Sequence, residues 1–310
     1  MKTTSLLVVA LLFSIGTASV AVAQTPASIH NKWTTGTPMP TATSTVAVGV
    51  IGGQVYVVGG GVLPDTCLAD TQIYDPATNT WSAGAPLPVG TCNGASAAVV
   101  NNILYVFGGG TATESVTNAV WAYNPQTDSW SSMSPMTTAK GCSGTAAENG
   151  IVYVVGGCGE NPQDRLTDVE SYNPATDTWT EEAPLLVGKS QPSVGLVGTT
   201  IVAADGFTAS GNTGDNEGYD ATTNSWTALP SDPRPRNGAC TGAIGTKLYV
   251  GDGNTKSSES FNLSKNKWHG LAHMPQPATF AGGAVYGGQL FCFGGIWGND
   301  TLNNVQIYQP

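Results

Sequence analysis

The sequence predicts an all-β fold built as a closed ring of six similar sheets, and three observations lead there. First, apolar runs end in a glycine pair, or a variant of one, at Gly59-Gly60, Gly108-Gly109, Gly156-Gly157, Asp205-Gly206, Asp252-Gly253 and Gly294-Gly295. Their spacing of 42 to 49 residues makes the chain an array of equivalent units. Second, an aromatic pair seven residues apart follows the first five runs: Tyr74/Trp81, Tyr123/Trp130, Tyr172/Trp179, Tyr219/Trp226 and Phe261/Trp268. Third, the sixth unit stops at Tyr308-Gln309-Pro310, before its tryptophan, while Trp33 has no unit in front of it. Placing Trp33 beside Tyr308 completes the sixth unit. A ring closed in this way leaves no open sheet edge, whereas a linear solenoid would need polar caps at both ends. The expected fold is a six-bladed β-propeller whose last blade is completed by the N-terminal strand.

The third unit shows why each strand forms. Gly144 to Glu148 is a run of small residues suited to the crowded centre of a ring. Asn149-Gly150 is a two-residue hairpin turn, because both positions must take positive φ. Ile151 to Val155 is continuously apolar, as a strand covered on both faces must be. Gly156-Gly157 ends it where the backbone needs unusual dihedrals. A loop to Thr167 leads to a third strand, Asp168 to Tyr172, and the turn Asn173-Pro174-Ala175-Thr176-Asp177 is rich in turn formers. Thr178 to Glu181 is the outer strand, carrying Trp179. The repeated tyrosine and tryptophan read as packing between blades, since each aromatic side chain can bury about 150–250 Å².

Residues 1–23 read as a signal peptide: Lys2, an apolar run from Leu6 to Val22, and the small-x-small site Ala21-Val22-Ala23. Residues 24–310 are then one domain, secreted or periplasmic, with no membrane insertion after cleavage. Without Lys2, 10 basic residues face 21 acidic ones, and the basic residues are scattered. Nucleic acid and anionic membranes are therefore not expected partners. Six cysteines behind an export signal suggest disulfides. Cys142 opens the third unit and Cys158 follows its glycine pair, so an antiparallel hairpin brings them together as the expected bridge. Cys67 and Cys92 share a rim and form a second candidate pair. Cys240 and Cys292 sit inside strands, where a bridge and two buried thiols both remain open.

The run Val55-Tyr56-Val57-Val58-Gly59-Gly60 and the segments at 74–81, 123–130 and 172–179 resemble kelch repeats. The resemblance covers nearly all of the chain beyond the signal segment. It implies a basic residue sixteen positions before each glycine pair; here those positions hold Thr43, Cys92, Lys140, Lys189, Arg236 and Ala278. It also implies a ligand face where the loops after strand two and before strand one surround the channel mouth. The residues fourteen before each glycine pair, Thr45, Gly94, Cys142, Gln191, Gly238 and Phe280, are expected to face that mouth.

The loop-face candidates are Glu160, Asn161, Arg165, Lys189, Gln191, Phe207, Arg236, Asn254, Lys256, Phe280, Trp297 and Asn299, a mixed polar and aromatic set that suits a glycan, peptide or protein. Trp297 lies outside the repeat's aromatic pattern and is the candidate stacking platform. His269 and His273 flank Trp268 with no carboxylate beside them, so no metal or other cofactor is expected. No nucleophile–base–acid set stands out. The expected role is a monomeric binding or scaffold domain rather than an enzyme. The alternative is a carbohydrate-active isomerase or lyase, because bacterial N-acetylneuraminate epimerases are exported kelch propellers that the chain resembles in architecture and export. That chemistry would use Glu160 as base, with Lys189 or Arg236 holding an acidic sugar.

Overall fold

The computed structural model describes residues 30–161, 163–253 and 255–310. The signal segment and Asn254 lie outside them. Six four-stranded antiparallel sheets make up the ring. The first blade consists of Ala47–Ile51, Gln54–Val58, Thr71–Asp75 and Thr80–Gly84. The third consists of Gly144–Glu148, Ile151–Val155, Val169–Asn173 and Thr178–Glu181, one residue from the expectation in its third strand. Its hairpin turn has the required backbone, with φ of 51° at Asn149 and 82° at Gly150.

The sixth blade closes the ring. Gly282–Tyr286, Gln289–Phe293 and Val305–Gln309 come from the C-terminal end, and Lys32–Thr35 supplies the outer strand. The register sets Trp33 opposite Tyr308, as Trp81 stands opposite Tyr74 in the first blade. Six apolar clusters fill the six blade interfaces, including one that joins Val55, Val57 and Tyr74 to Phe291, Phe293 and Val305 across the first and last blades. Each strand pair alone is too narrow to bury its apolar face, so the stacked blades supply the core jointly.

A repeated polar latch accompanies the packing. Tyr74, Tyr123, Tyr172, Tyr219 and Tyr308 each donate a hydroxyl hydrogen bond of 2.6–2.9 Å to Asn79, Asp128, Asp177, Asn224 and Asn31 respectively. The same carboxyl or amide oxygen accepts a backbone N–H from the linker before the blade, as Asp128 does from Ala85 at 2.6 Å and Asn31 from Ala272 at 2.7 Å. Each Asx residue lies two positions before a tryptophan, whose indole N–H donates to a carbonyl of that same linker. All five take positive φ, which Asn and Asp tolerate best among residues with a side chain. Asn31 and Trp33 thus carry the same latch as the internal blades. Burial, and then the hydrogen bond to Asp128, push the Tyr123 phenol up, and that bond pulls Asp128 below the usual carboxylate range.

Two disulfides form. Cys67–Cys92 ties the first blade's loop to the entry of the second, and Cys240–Cys292 joins the first strand of blade five to the second strand of blade six. The expected Cys142–Cys158 bridge is absent: both residues are thiols. Their backbones are adjacent as foreseen, since Gly141 and Cys158 exchange hydrogen bonds of 3.0 and 2.8 Å. With φ of 53° at Cys142, its thiol also reaches the Asn93 carbonyl at 3.4 Å and the Gln191 amide at 3.8 Å. Among the described residues no helix is long and apolar enough to cross a membrane.

Candidate functional site

The first strands of the blades surround a central channel of about 560 Å³ lined by small residues such as Gly49, Ala97, Thr145, Gly195 and Ala243. At one end the chain enters these strands through a narrow collar. Thr45, Gly94, Cys142, Gln191, Gly238 and Phe280 all line one recess there, and all six have φ between 53° and 71°. Positive φ turns each peptide toward its neighbour. Phe280 N–H reaches Gly238 O at 2.6 Å, Thr45 reaches Phe280 at 2.8 Å, Cys142 reaches Gly94 at 2.7 Å and Gln191 reaches Cys142 at 2.6 Å. Glycine at 238 also makes room for an aromatic, because a Cβ there would collide with the Phe280 ring. Spacing from the glycine pairs therefore identified the collar correctly.

Above the collar, short hairpins project from the loops after the second strands. Phe207–Thr208 pairs with Gly211–Asn212, and Ile296–Trp297 pairs with Asp300–Thr301. Both hairpins are pinned at their base, by Ser190 to Phe207 and by Thr279 to Ile296. Between them lies a recess of about 450 Å³ lined by Phe207, Asn212, Asn237, Thr279, Phe280, Ile296, Trp297 and Gly298. It combines three aromatic rings with two amides and has no charged side chain in its lining. Trp297 is 46% exposed, and the Asn237 amide donates to Gln191 at 2.9 Å. A second recess of about 250 Å³ is lined by Cys142, Cys158, Glu160, Arg165 and Gln191, among others. Arg165 stacks on Phe207 at 5.0 Å from the ring centroid and so stands between the two recesses.

The remaining candidates divide sharply. Asn161, Lys256 and Asn299 are exposed but line neither recess. Lys189 and Arg236 are buried, contrary to expectation, and are not ligand-facing. Lys189 pairs with Glu217 at 3.0 Å, and Arg236 pairs with Asp232 at 3.2 Å and with Glu259. Lys140 is buried likewise, against Asp168 and Glu170. An ion taken out of water persists only with such a partner. The three glutamates each lie two positions before the Tyr or Phe of their blade. In the first and sixth blades, where Thr43 and Ala278 replace the basic residue, the matching positions hold Gln72 and Gln306. Those amides serve the same linker backbone, at Thr41 and Gln276. This match of charge within each repeat was readable in the sequence and marks the basic residues as structural. The set that proton transfer to an acidic sugar would need, Glu160 with Lys189 or Arg236, does not assemble.

Asp205 and Asp252 occupy the first glycine position of their pairs, with φ of 58° and 63°. Asp205 is fully buried, 4.0 Å from Arg236. Burial, and then the neighbouring Asp232 carboxylate, hold its carboxyl well above the usual range.

Six sheets closed through the chain ends, with a Tyr–Trp or Phe–Trp pair and a glycine-type stop in each unit, define a kelch-type β-propeller. Residues 19–207 match the KLHDC2/KLHL20/DRC7 Kelch-repeats domain, and residues 277–310 match the Kelch motif. The chain belongs to the kelch-repeat family. It is similar to Kelch-like protein terF of Aspergillus terreus, 32% identical over 87 residues, which is 27% of this chain and 19% of that protein. It is also similar to mouse Kelch-like protein 35, 36% identical over 58 residues, covering 19% of this chain and 10% of the relative. These matches span a small part of both relatives. A solved structure titled "Structure of YjhT" aligns with a TM-score of 0.75 at 19% identity, over 87% of this chain and 96% of that one. That likeness shows the shared fold. The kelch propeller fold suits a binding or scaffold domain.

Proposed function

We propose that the chain is an exported, monomeric binding domain that holds a neutral glycan in the recess between the Phe207 and Trp297 hairpins. The observation that carries this reading is the lining: three aromatic rings, two asparagines and no charged side chain around about 450 Å³. Aromatic faces cover the C–H surfaces of a sugar ring, while amides bond its hydroxyls as both donors and acceptors. Trp297 supports the reading further, because its exposed ring has no counterpart in the packing pairs of the blades. An acidic ligand would meet a chain of net charge −10 whose most buried arginine, Arg236, is already paired. Export rests on the N-terminal apolar run and accords with the two disulfides.

The test is calorimetric titration of the 24–310 chain with neutral oligosaccharides, sialylated oligosaccharides and acidic peptides. Binding of a neutral saccharide, lost in Trp297→Ala with the melting temperature unchanged, supports the site. Binding only of acidic ligands, or saccharide binding indifferent to Trp297→Ala, overturns it.

A further inference from the structure

Blade three differs from the other five at the loop face, and the difference is chemical. At the collar position and at the residue directly after the glycine pair it places cysteines, Cys142 and Cys158; the corresponding pairs elsewhere are Thr45 and Gly61, Gly94 and Gly110, Gln191 and Phe207, Gly238 and Asn254, Phe280 and Ile296. Gly141 and Cys158 exchange backbone hydrogen bonds of 3.0 and 2.8 Å, which sets the two cysteines side by side. Both are partly exposed, and both line the recess of about 250 Å³ that Glu160 and Arg165 border. In the other cysteine pairs the sulfurs are bridged, so this is the pair of described cysteines held as thiols.

We propose that Cys158 and Cys142 form a thiol–disulfide exchange site on the loop face, which takes a small disulfide-bearing ligand, with Cys158 attacking and Cys142 resolving.

The surroundings separate the two roles. The neighbouring Cys142 thiol is the largest influence favouring the Cys158 thiolate, burial opposes it, and the Arg165 guanidinium adds positive charge. The net effect pulls Cys158 down to about 7. Cys142 is pushed up, first by its contact with Cys158 and then by burial. A thiol that titrates near neutrality is the better attacking group, and a thiol of higher pKa is held back until a mixed disulfide has formed. The charged groups facing the recess are Glu160 and Arg165, and Asp164 bonds the Asn161 backbone and amide at its edge at 3.3 Å.

The step balances. The Cys158 thiolate attacks one sulfur of RS–SR, a new S–S bond forms, the old one breaks and RS⁻ leaves. Cys142 then gives its proton to solvent and attacks the Cys158 sulfur, expelling the second RS⁻. Two protein thiols are oxidised and one external disulfide is reduced to two thiols, so the disulfide itself is the oxidant. The backbones need not move far, because residues 141 and 158 are already paired.

The experiment uses the whole 24–310 chain, 2-hydroxyethyl disulfide as probe, and peptide mapping to distinguish these thiols from Cys67 and Cys92. The expected products are a Cys142–Cys158 disulfide in the wild type and a hydroxyethylthio adduct trapped on Cys158 in Cys142→Ser. Cys158→Ser should slow the reaction about tenfold or more. In the unmutated chain, iodoacetamide should label Cys158 first, with a rate half-maximal near pH 7. That second measurement needs no variant to fold. Equal labelling of both thiols, an adduct trapped on Cys142 instead, or no reaction faster than that of an ordinary exposed thiol would overturn the assignment.

Discussion

Replacing Trp33 by alanine should destabilise the protein as much as removing a tryptophan from the middle of the chain, although Trp33 lies near the N-terminus where most chains fray. Trp33 is 7% exposed, packs on Tyr308 at 5.1 Å and donates its indole N–H to Ala272 at 2.9 Å. About 200 Å² of buried aromatic surface at about 25 cal/mol per Å² gives about 5 kcal/mol, an upper bound because unfolded chains already bury some of it. The lost hydrogen bond contributes about 1 kcal/mol more, and partial collapse of the site offsets some of the total. The expected cost is about 4 kcal/mol. The comparison variant is Trp226→Ala, whose tryptophan is 8% exposed and bonds Ala183 at 2.9 Å in the same geometry inside blade four. Equilibrium urea unfolding of both variants measures the difference. A cost below about 1 kcal/mol for Trp33→Ala beside about 4 kcal/mol for Trp226→Ala would mean that the terminal strand detaches freely, and the ring-closure argument would fail.

Lys140→Met should cost about 3–5 kcal/mol by stranding Glu170 in the interior, and the double variant Lys140→Met/Glu170→Gln should recover much of that, since Gln72 and Gln306 already serve this position; a double-mutant cycle with no coupling refutes the pairing. Burial, and then the Asp232 carboxylate, raise the Asp205 carboxyl well above its ordinary value of 3.8, so its contribution to stability is complete below that value and is lost as pH rises through the folded pKa. Asp205→Asn should therefore gain stability relative to the wild type with rising pH, and parallel stability–pH curves would contradict this. A circular permutant joining Pro310 to His30, which are already in contact at 2.7 Å, and opened at the Gly198 turn should fold; its circular dichroism and melting should stay close to those of the parent, and loss of cooperative unfolding would count against closure at this seam.

Much of the architecture was legible because it rests on short-range, repeated chemistry. A glycine pair with positive φ stops a strand wherever it occurs, a tyrosine seven before a tryptophan faces it across a hairpin, and a spare tryptophan at one end answers a missing one at the other. The collar followed from the same frame, since equal spacing from equivalent strands places residues at equivalent points of a ring. The polar latch at Asn31 was also present in the sequence, as an Asx two residues before each of these tryptophans, and went unread because its acceptor role involves a linker in the preceding blade.

Burial of charge and the state of the thiols were decided only by the folded ring. Lys189 and Arg236 share the loop-face frame with Gln191 and Gly238, yet the electrostatic cost of an ion in the interior is met by glutamates 28 and 23 residues further along, so their side chains turn inward. Phe207, Phe280 and Trp297 come from blades four and six, and their convergence on one recess depends on how far the blades are rotated around the axis. Cys142 and Cys158 are neighbours by repeat spacing alone, but whether their sulfurs bond is set by the backbone turn at Cys142 and the partners it meets there. Local pattern determined the strands and their order; long-range packing and desolvation determined which polar groups face water and which hold the blades together.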